Sequence, residues 1–334
     1  MKKFIVNILL VVMLSVLLAG CSSHNKDEGN VIRIAFFPNI THSQALVGKA
    51  EGWFQKSLGN DYNIEWKMFN AGPSEIEALF ANEVDIGYIG PVPALNGYVK
   101  SGGDVSIIAG ATQAGAILVS RKDLEIRDVK ELNGKKVAVP QFGNTQDLCL
   151  RYLLKENGLK DVAKGGTVEI LQVANPDVKT LLDKGDIDAA LVPEPWGSIL
   201  VKEIDANIVL DYNEILRDGR YPTTVIVVRT DFLKQHPDIV KTFVKTHIEI
   251  SDYINNNPDR AKTIVNDEIS ELTGKALSKD IMNAAFGRIT VGYDPEEDAV
   301  MEFSNLAYDM GIYKDKPDIS ELFKLQILDE ALAK

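Results

Sequence analysis

The sequence has little cysteine. Its two residues, Cys21 and Cys149 in a chain of 334, cannot staple a small scaffold, so stability must come from a hydrophobic core, which 45% hydrophobic residues can supply. Cys149 sits in Asp147-Leu148-Cys149-Leu150, among apolar residues on a helix-period segment, and reads as a buried, inert thiol. Histidine is nearly as scarce. His24, His42, His236 and His247 lie far apart and outside metal-ligand spacing, so no metal or other cofactor is expected. There is no long basic run either; net charge is −12, both signs are interspersed, and nucleic acid is a poor partner for such a surface. Low-complexity tracts and heptad runs are missing as well.

What the chain does contain is a repeat, about a hundred residues apart. In the first copy an apolar run, Val31 to Phe37, breaks at Pro38 and leads through Asn39, Ile40 and Thr41 into the helical pattern Ser43 to Phe54. In the second, Lys136 to Val139 breaks at Pro140 and leads through Gly143, Asn144 and Thr145 into the helical pattern Gln146 to Asn157. Both copies continue with a second apolar run (Ile64 to Phe69; Thr167 to Val173), a loop with Pro73 or Pro176, a helix, and a turn with Asp85 or Asp188. A third run then ends at proline: Ile86 to Ile89 before Gly90 and Pro91, and Ala189 to Val192 before Pro193. Short apolar runs alternating with helix-period segments imply βαβ units on parallel sheets, hence two α/β lobes.

The N-terminus has the pattern of an export signal: Lys2 and Lys3, an apolar stretch from Phe4 to Leu18, then Leu18-Ala19-Gly20-Cys21. The stretch is short of the ~20 residues that a membrane span needs, and small residues before a cysteine fit cleavage and lipidation. Residues 1–20 are expected to be a signal peptide, Cys21 the lipidated residue, and 21–30 a polar tether. The mature protein is then held by lipid outside the cytoplasmic membrane.

One lobe is expected to comprise 31–116 and 222–334, the other 117–221. The crossings between them are placed at the apolar strand Ala114 to Ser120 and at Val225 to Val228, which follows Tyr221-Pro222-Thr223-Thr224. Two crossing strands make a hinge. The helix-period segments after the second crossing must bury an apolar stripe, and they are expected to pack on the first lobe.

Four stretches give the chain a family resemblance: Phe37-Pro38-Asn39-Ile40-Thr41-His42-Ser43-Gln44-Ala45, the run from Asn82 to Pro93, Leu132-Asn133-Gly134-Lys135-Lys136-Val137-Ala138, and Pro193-Glu194-Pro195-Trp196. In this order, behind a lipidation pattern, they resemble the extracytoplasmic substrate-binding proteins of ABC importers, in the aliphatic-sulfonate, nitrate and taurine group. The resemblance implies a type II periplasmic-binding-protein fold with a hinged cleft. It also implies a small anionic organic ligand held between the lobes, and delivery to ABC permease subunits by what is taken to be a monomer. Independently, ligands of open α/β sheets bind in the crevice beyond the strand C-termini, which leads to the same loops.

In the first loop, Thr41 or Asn39 can cap the next helix so that its free N–H groups face an anion, and His42 can supply positive charge or a hydrogen-bond donor. In the second, Gly90 allows close backbone approach and Pro91 starts a helix; Thr112 and Gln113 lie just before the crossing. Gly143, Asn144 and Thr145 can form an anion nest in the second lobe, or merely cap its helix. Glu194 is either a helix-start acid or the partner of a ligand amine, and Trp196 either walls an apolar part of the ligand or packs in the core. These motifs hold no Arg or Lys, so the donors are neutral.

Two other classes compete. Related two-lobed folds serve in cofactor and thiamine-pyrimidine biosynthesis, but His42 has no evident carboxylate partner and Cys149 lies inside a helix, so no catalytic residue is assigned. A ligand-sensing lipoprotein would have the same sequence features as an importer component.

Overall fold

The computed structural model describes residues 30–333. The signal segment 1–20, Cys21 and the tether up to Gly29 lie outside the described residues. The strands are β1 (Val31–Phe36), β2 (Asn63–Met68), β3 (Ile86–Ile89), β4 (Val105–Ala114), β5 (Ala116–Ser120), β6 (Lys136–Val139), β7 (Glu169–Gln172), β8 (Ala189–Pro193), β9 (Asn207–Leu210), β10 (Pro222–Arg229) and β11 (Ile289–Val291). They form a six-stranded sheet in the order β11-β4-β10-β3-β1-β2 and a five-stranded sheet in the order β7-β6-β8-β5-β9. The fold is α/β with two sheets, as the repeat implies.

The sheets are mixed, where the sequence pattern implied parallel ones. β1 and β3 run parallel, as do β6 with β7 and with β8, but β10 is antiparallel to both β3 and β4, and β5 to both β8 and β9. Antiparallel strands enter where the chain passes between sheets, a path that the repeat itself does not encode. The first crossing is a break and not a strand: β4 ends at Ala114 and β5 begins at Ala116, with Ala114 and Gly115 at φ of 58° and 78°. A side chain on Gly115 would meet Ile289 at 2.5 Å. The second crossing comes before Pro222, so Val225 to Val228 lies in the middle of β10, within the first sheet. The two crossings adjoin, since the Ala114 N–H donates to the Tyr221 carbonyl at 2.9 Å.

The helices are α1 (Ser43–Ala50), α2 (Trp53–Leu58), α3 (Gly72–Phe80), α4 (Pro91–Ser101), α5 (Thr145–Glu156), α6 (Asn175–Lys184), α7 (Trp196–Ile204), α8 (Tyr212–Ile215), α9 (Thr230–Gln235), α10 (Pro237–Asn256), α11 (Pro258–Thr273), α12 (Lys279–Phe286), α13 (Glu297–Asp309) and α14 (Gln326–Leu332). α10 shows why the C-terminal set docks. Val240, Phe243, Val244, Ile250 and Ile254 recur at helical spacing on one buried face, and Phe243 stacks on Phe54 with ring centroids 4.5 Å apart. Most of this set packs beside the first sheet as expected, but α12 also packs on α7 and α13 on α5. Cys149 is buried, and burial pushes its thiol up to about 12, in keeping with an inert side chain.

Candidate functional site

Five helices begin around one cavity of about 30 Å³. Its lining includes Thr41 and His42 just before α1, Gly72 at the start of α3, Gly90 before α4, Asn144 and Thr145 at the start of α5, and Asn175 at the start of α6. In each case a strand ends and a proline, glycine or asparagine turns the chain into a helix. The unsatisfied N–H groups of first turns are therefore gathered in one place, with the positive ends of the helix dipoles. Among the described residues, no Arg, Lys, Asp or Glu lines the cavity.

Three hydrogen bonds join residues from the two halves of the repeat around it. Trp196 Nε1 donates to Asn39 Oδ1 at 2.8 Å, Ser74 Oγ to Gln141 Oε1 at 3.3 Å, and Asn96 Nδ2 to the Gly143 carbonyl at 3.0 Å. At Gly90 the backbone of one half comes close to a side chain of the other, because a Cβ added there would lie 2.6 Å from Thr145 Oγ1. Thr145 Oγ1 and Asn175 Oδ1 are buried at the cavity without a hydrogen-bond partner among the described residues.

Of the residues singled out in the sequence, Asn39, Thr41, His42, Gly90, Asn144 and Thr145 line this cavity, and the others do not. Asn39 and Thr41 are not caps: neither the short turn Ile40–His42 nor α1 has a side-chain cap bond, and Asn39 is engaged by Trp196 instead. His42 cannot supply positive charge. Its Nδ1 accepts the Phe37 N–H at 3.3 Å, and burial lowers it to about 3, so it is neutral with its proton on Nε2, leaving one N–H to donate. Asn144 caps α5, with Oδ1 accepting the Asp147 N–H at 2.9 Å.

Gly143 forms no nest, because its N–H is consumed by Asp147 Oδ2 at 2.8 Å. Pro91 is buried behind the lining, where Pro93 stands instead. Thr112 is buried within β4 opposite Thr224, and Gln113 Nε2 donates to Glu296 Oε1 at 2.6 Å. Glu194 is fully buried, and its carboxylate is engaged within the protein. Its carboxylate accepts the Ser198 N–H and hydroxyl, both at 3.0 Å, and pairs with Arg288 Nη1 at 3.2 Å. Burial pushes this carboxyl up, and Ser198 and Arg288 oppose the shift. Trp196 lines a neighbouring cavity.

Residues 25–266 match the NMT1-like family. The chain belongs to that family. It is 32% identical over 233 residues to the taurine-binding periplasmic protein of Escherichia coli (strain K12), covering 70% of this chain and 69% of that protein. It is 27% identical over 290 residues to a putative aliphatic sulfonates-binding protein of Bacillus subtilis (strain 168), covering 85% and 83%. The fold is similar to that of the periplasmic nitrate-binding protein NrtA from Synechocystis PCC 6803, with a TM-score of 0.78 at 16% identity, over 90% of this chain and 88% of that one.

In this NMT1-like chain several lining residues were not visible as site residues in the sequence: Asn70, Gly72, Gln146, Asn175 and Thr223. A signal for two of them was present. The loops holding Pro73 and Pro176 occupy equivalent places in the two copies, and the helices they open, α3 and α6, start at Gly72 and Asn175.

Proposed function

We propose that this protein is the substrate-binding component of an ABC importer, capturing a small organic oxyanion such as an aliphatic sulfonate in the cleft between two lobes. The lobes are 31–116 with 222–334, and 117–221. They close about the crossings at Gly115 and before Pro222, and the loaded form meets the permease subunits as a monomer tethered outside the cytoplasmic membrane through lipidated Cys21. The observation that carries the proposal is the convergence of five helix starts and neutral donors on one cavity that no Arg, Lys, Asp or Glu lines among the described residues. The sequence relation to taurine- and aliphatic sulfonates-binding proteins supports it. Each helix start contributes ~0.3–1 kcal/mol to holding an anion, and each hydrogen bond to a charged group ~1.5–3 kcal/mol. Micromolar binding corresponds to about 8 kcal/mol, so a few such contacts reach it after the costs of association.

The test is thermal unfolding of the protein against alkanesulfonates, taurine, nitrate and uncharged pyrimidines. A ligand at a hundred times its dissociation constant adds about 2.7 kcal/mol and raises the midpoint by several degrees. A shift with a sulfonate is expected; a shift with a neutral pyrimidine and none with any anion overturns the proposal.

A further inference from the structure

α3 is the helix whose first residue, Gly72, lines the cavity at the helix starts, together with Asn70 and Ala71 before it. It lies close on its neighbours because three glycines leave it room. A Cβ on Gly72 would lie 2.3 Å from Pro93 Cγ of α4, one on Gly97 of α4 2.9 Å from Ile76 Cδ1, and one on Gly87 of β3 1.9 Å from Glu75 Oε1. The first two contacts are apolar, and the third sets a carboxyl on the backbone of an inner strand. Glu75 is 0% exposed, and neither of its carboxyl oxygens has a hydrogen-bond partner among the described residues.

The titratable groups on the surrounding elements are engaged elsewhere. Arg33 of β1 and Arg229 at the end of β10 pair with Asp85, just before β3, at 3.7 and 2.9 Å. Tyr88 of β3 belongs to the core on the other side of the sheet, its hydroxyl 3.0 Å from His247 Nδ1. On α4, Tyr98 lies beside Gly103 and Lys100 over the Phe80 ring, and Glu77 of α3 itself is exposed. A carboxylate at Glu75 would have neither solvent nor counter-ion, so the group is held as the neutral acid, and burial pushes its carboxyl well above the usual carboxylate range. It can ionise only by reaching solvent, and to do so it must carry α3 off the sheet. Gly72 stands one turn earlier on the same helix, so the turn 70–72 then leaves the cavity.

We propose that Glu75 is a positioning residue for the ligand: as a neutral acid seated on Gly87 it holds the first turn of α3 at the cavity, and loss of its proton releases the bound anion. This rests on the oxyanion site proposed above. The sign follows from linkage. The anion-bound form keeps the proton, so affinity is level while the anion-free form keeps it too, and falls by up to about tenfold per pH unit once the anion-free form gives it up. The experiment is calorimetric titration of the wild type and of Glu75→Gln with ethanesulfonate, whose charge is constant throughout, at pH 7, 8, 9 and 10, with circular dichroism to show that each protein is folded at each pH. Wild-type affinity is expected to be level to pH 8 and to fall about tenfold or more by pH 10. Glu75→Gln keeps the size of the side chain and cannot ionise, and its affinity at pH 10 is expected to stay within about twofold of its own value at pH 7. Should Glu75→Gln not fold, Glu75→Ala with Gly87→Ala, which fills the niche with methyl groups, is the second non-ionising variant and is expected to be as level. A wild type that binds equally at pH 7 and 10, or a non-ionising variant whose affinity falls in parallel with the wild type, overturns the role of Glu75 and leaves the oxyanion site standing. Binding of ethanesulfonate at no pH overturns the site and this proposal together.

Discussion

Thr145 is a residue whose cost to stability and use in binding can be separated. A hydroxyl buried without a partner costs roughly 1–3 kcal/mol, and a bound oxyanion that accepts its hydrogen bond removes that cost. Thr145→Val keeps the shape and deletes the hydroxyl. Its unfolding free energy in urea is expected to hold or rise by about 1 kcal/mol, while sulfonate affinity by calorimetry falls tenfold or more. A parallel loss of both would make Thr145 a structural residue. His42 gives a second prediction at this scale. Burial takes it from 6.5 to about 3, so between those pH values the unfolded chain binds more protons and stability rises with pH. The slope from this group is about 1.4 kcal/mol per pH unit. His247, lowered by burial to about 4, adds to it over a narrower window. Since His42 stays neutral in the folded protein, sulfonate affinity is expected to be constant from pH 5 to 8; a site that used a charged imidazole would tighten as pH falls through 6.5.

The elements act as a set of helix starts, and their fit depends on what the turns leave out. Gly90 has φ of −65°, so alanine is locally allowed there, and the obstacle is Thr145 Oγ1 from the opposite half. Gly90→Ala is therefore expected to fold normally and to lose about tenfold or more in affinity, with a larger radius of gyration by small-angle scattering in the presence of ligand. An unchanged affinity would mean that Thr145 simply rotates aside. Much of this geometry was legible in the sequence, because strand ends announce themselves through Pro38, Gly90, Pro140 and Pro193, and the repeat places them in equivalent positions. The Asn144 cap was legible for the same local reason. Pairings between distant residues were not. Trp196 meets Asn39 across 157 positions and Arg288 meets Glu194 across 94, and neither chain spacing nor composition marks them. Gly143 misled because its N–H is used four residues on by Asp147. His42 misled because residue type carries no information about burial, which decides its charge.

At the scale of the whole molecule, one ion cluster ties together segments that the repeat treats as separate. Arg288 lies just before β11, the edge strand of the first sheet, and reaches Asp211 at 2.6 Å, Ser198 Oγ at 3.0 Å and Glu194 at 3.2 Å, all from the second half. Glu194 in turn donates its N–H to the Gly115 carbonyl at 2.7 Å, at the first crossing. Breaking a buried pair from one side leaves the other charge stranded, at a cost of about 3–5 kcal/mol. Arg288→Met is accordingly expected to lower the unfolding free energy by about 3 kcal/mol at pH 7. The loss should shrink in acid. Burial already raises the Glu194 carboxyl above its ordinary 4.5, and without Arg288 it rises further, so the protonated form is the one the folded variant tolerates. For a carboxyl raised on folding, stability is fully present below the unfolded value and is lost as pH rises through the folded one, so the variant gains relative to wild type as pH is lowered from 7 to 5. Adding Glu194→Gln to Arg288→Met should restore part of the loss at pH 7, and urea unfolding of the four proteins of this cycle at both pH values measures the coupling. A loss equal at pH 5 and 7, with no rescue by glutamine, would show that Arg288 acts by packing or through Asp211. In that case Glu194 is buried for reasons independent of the arginine, and the cluster does not hold the crossing.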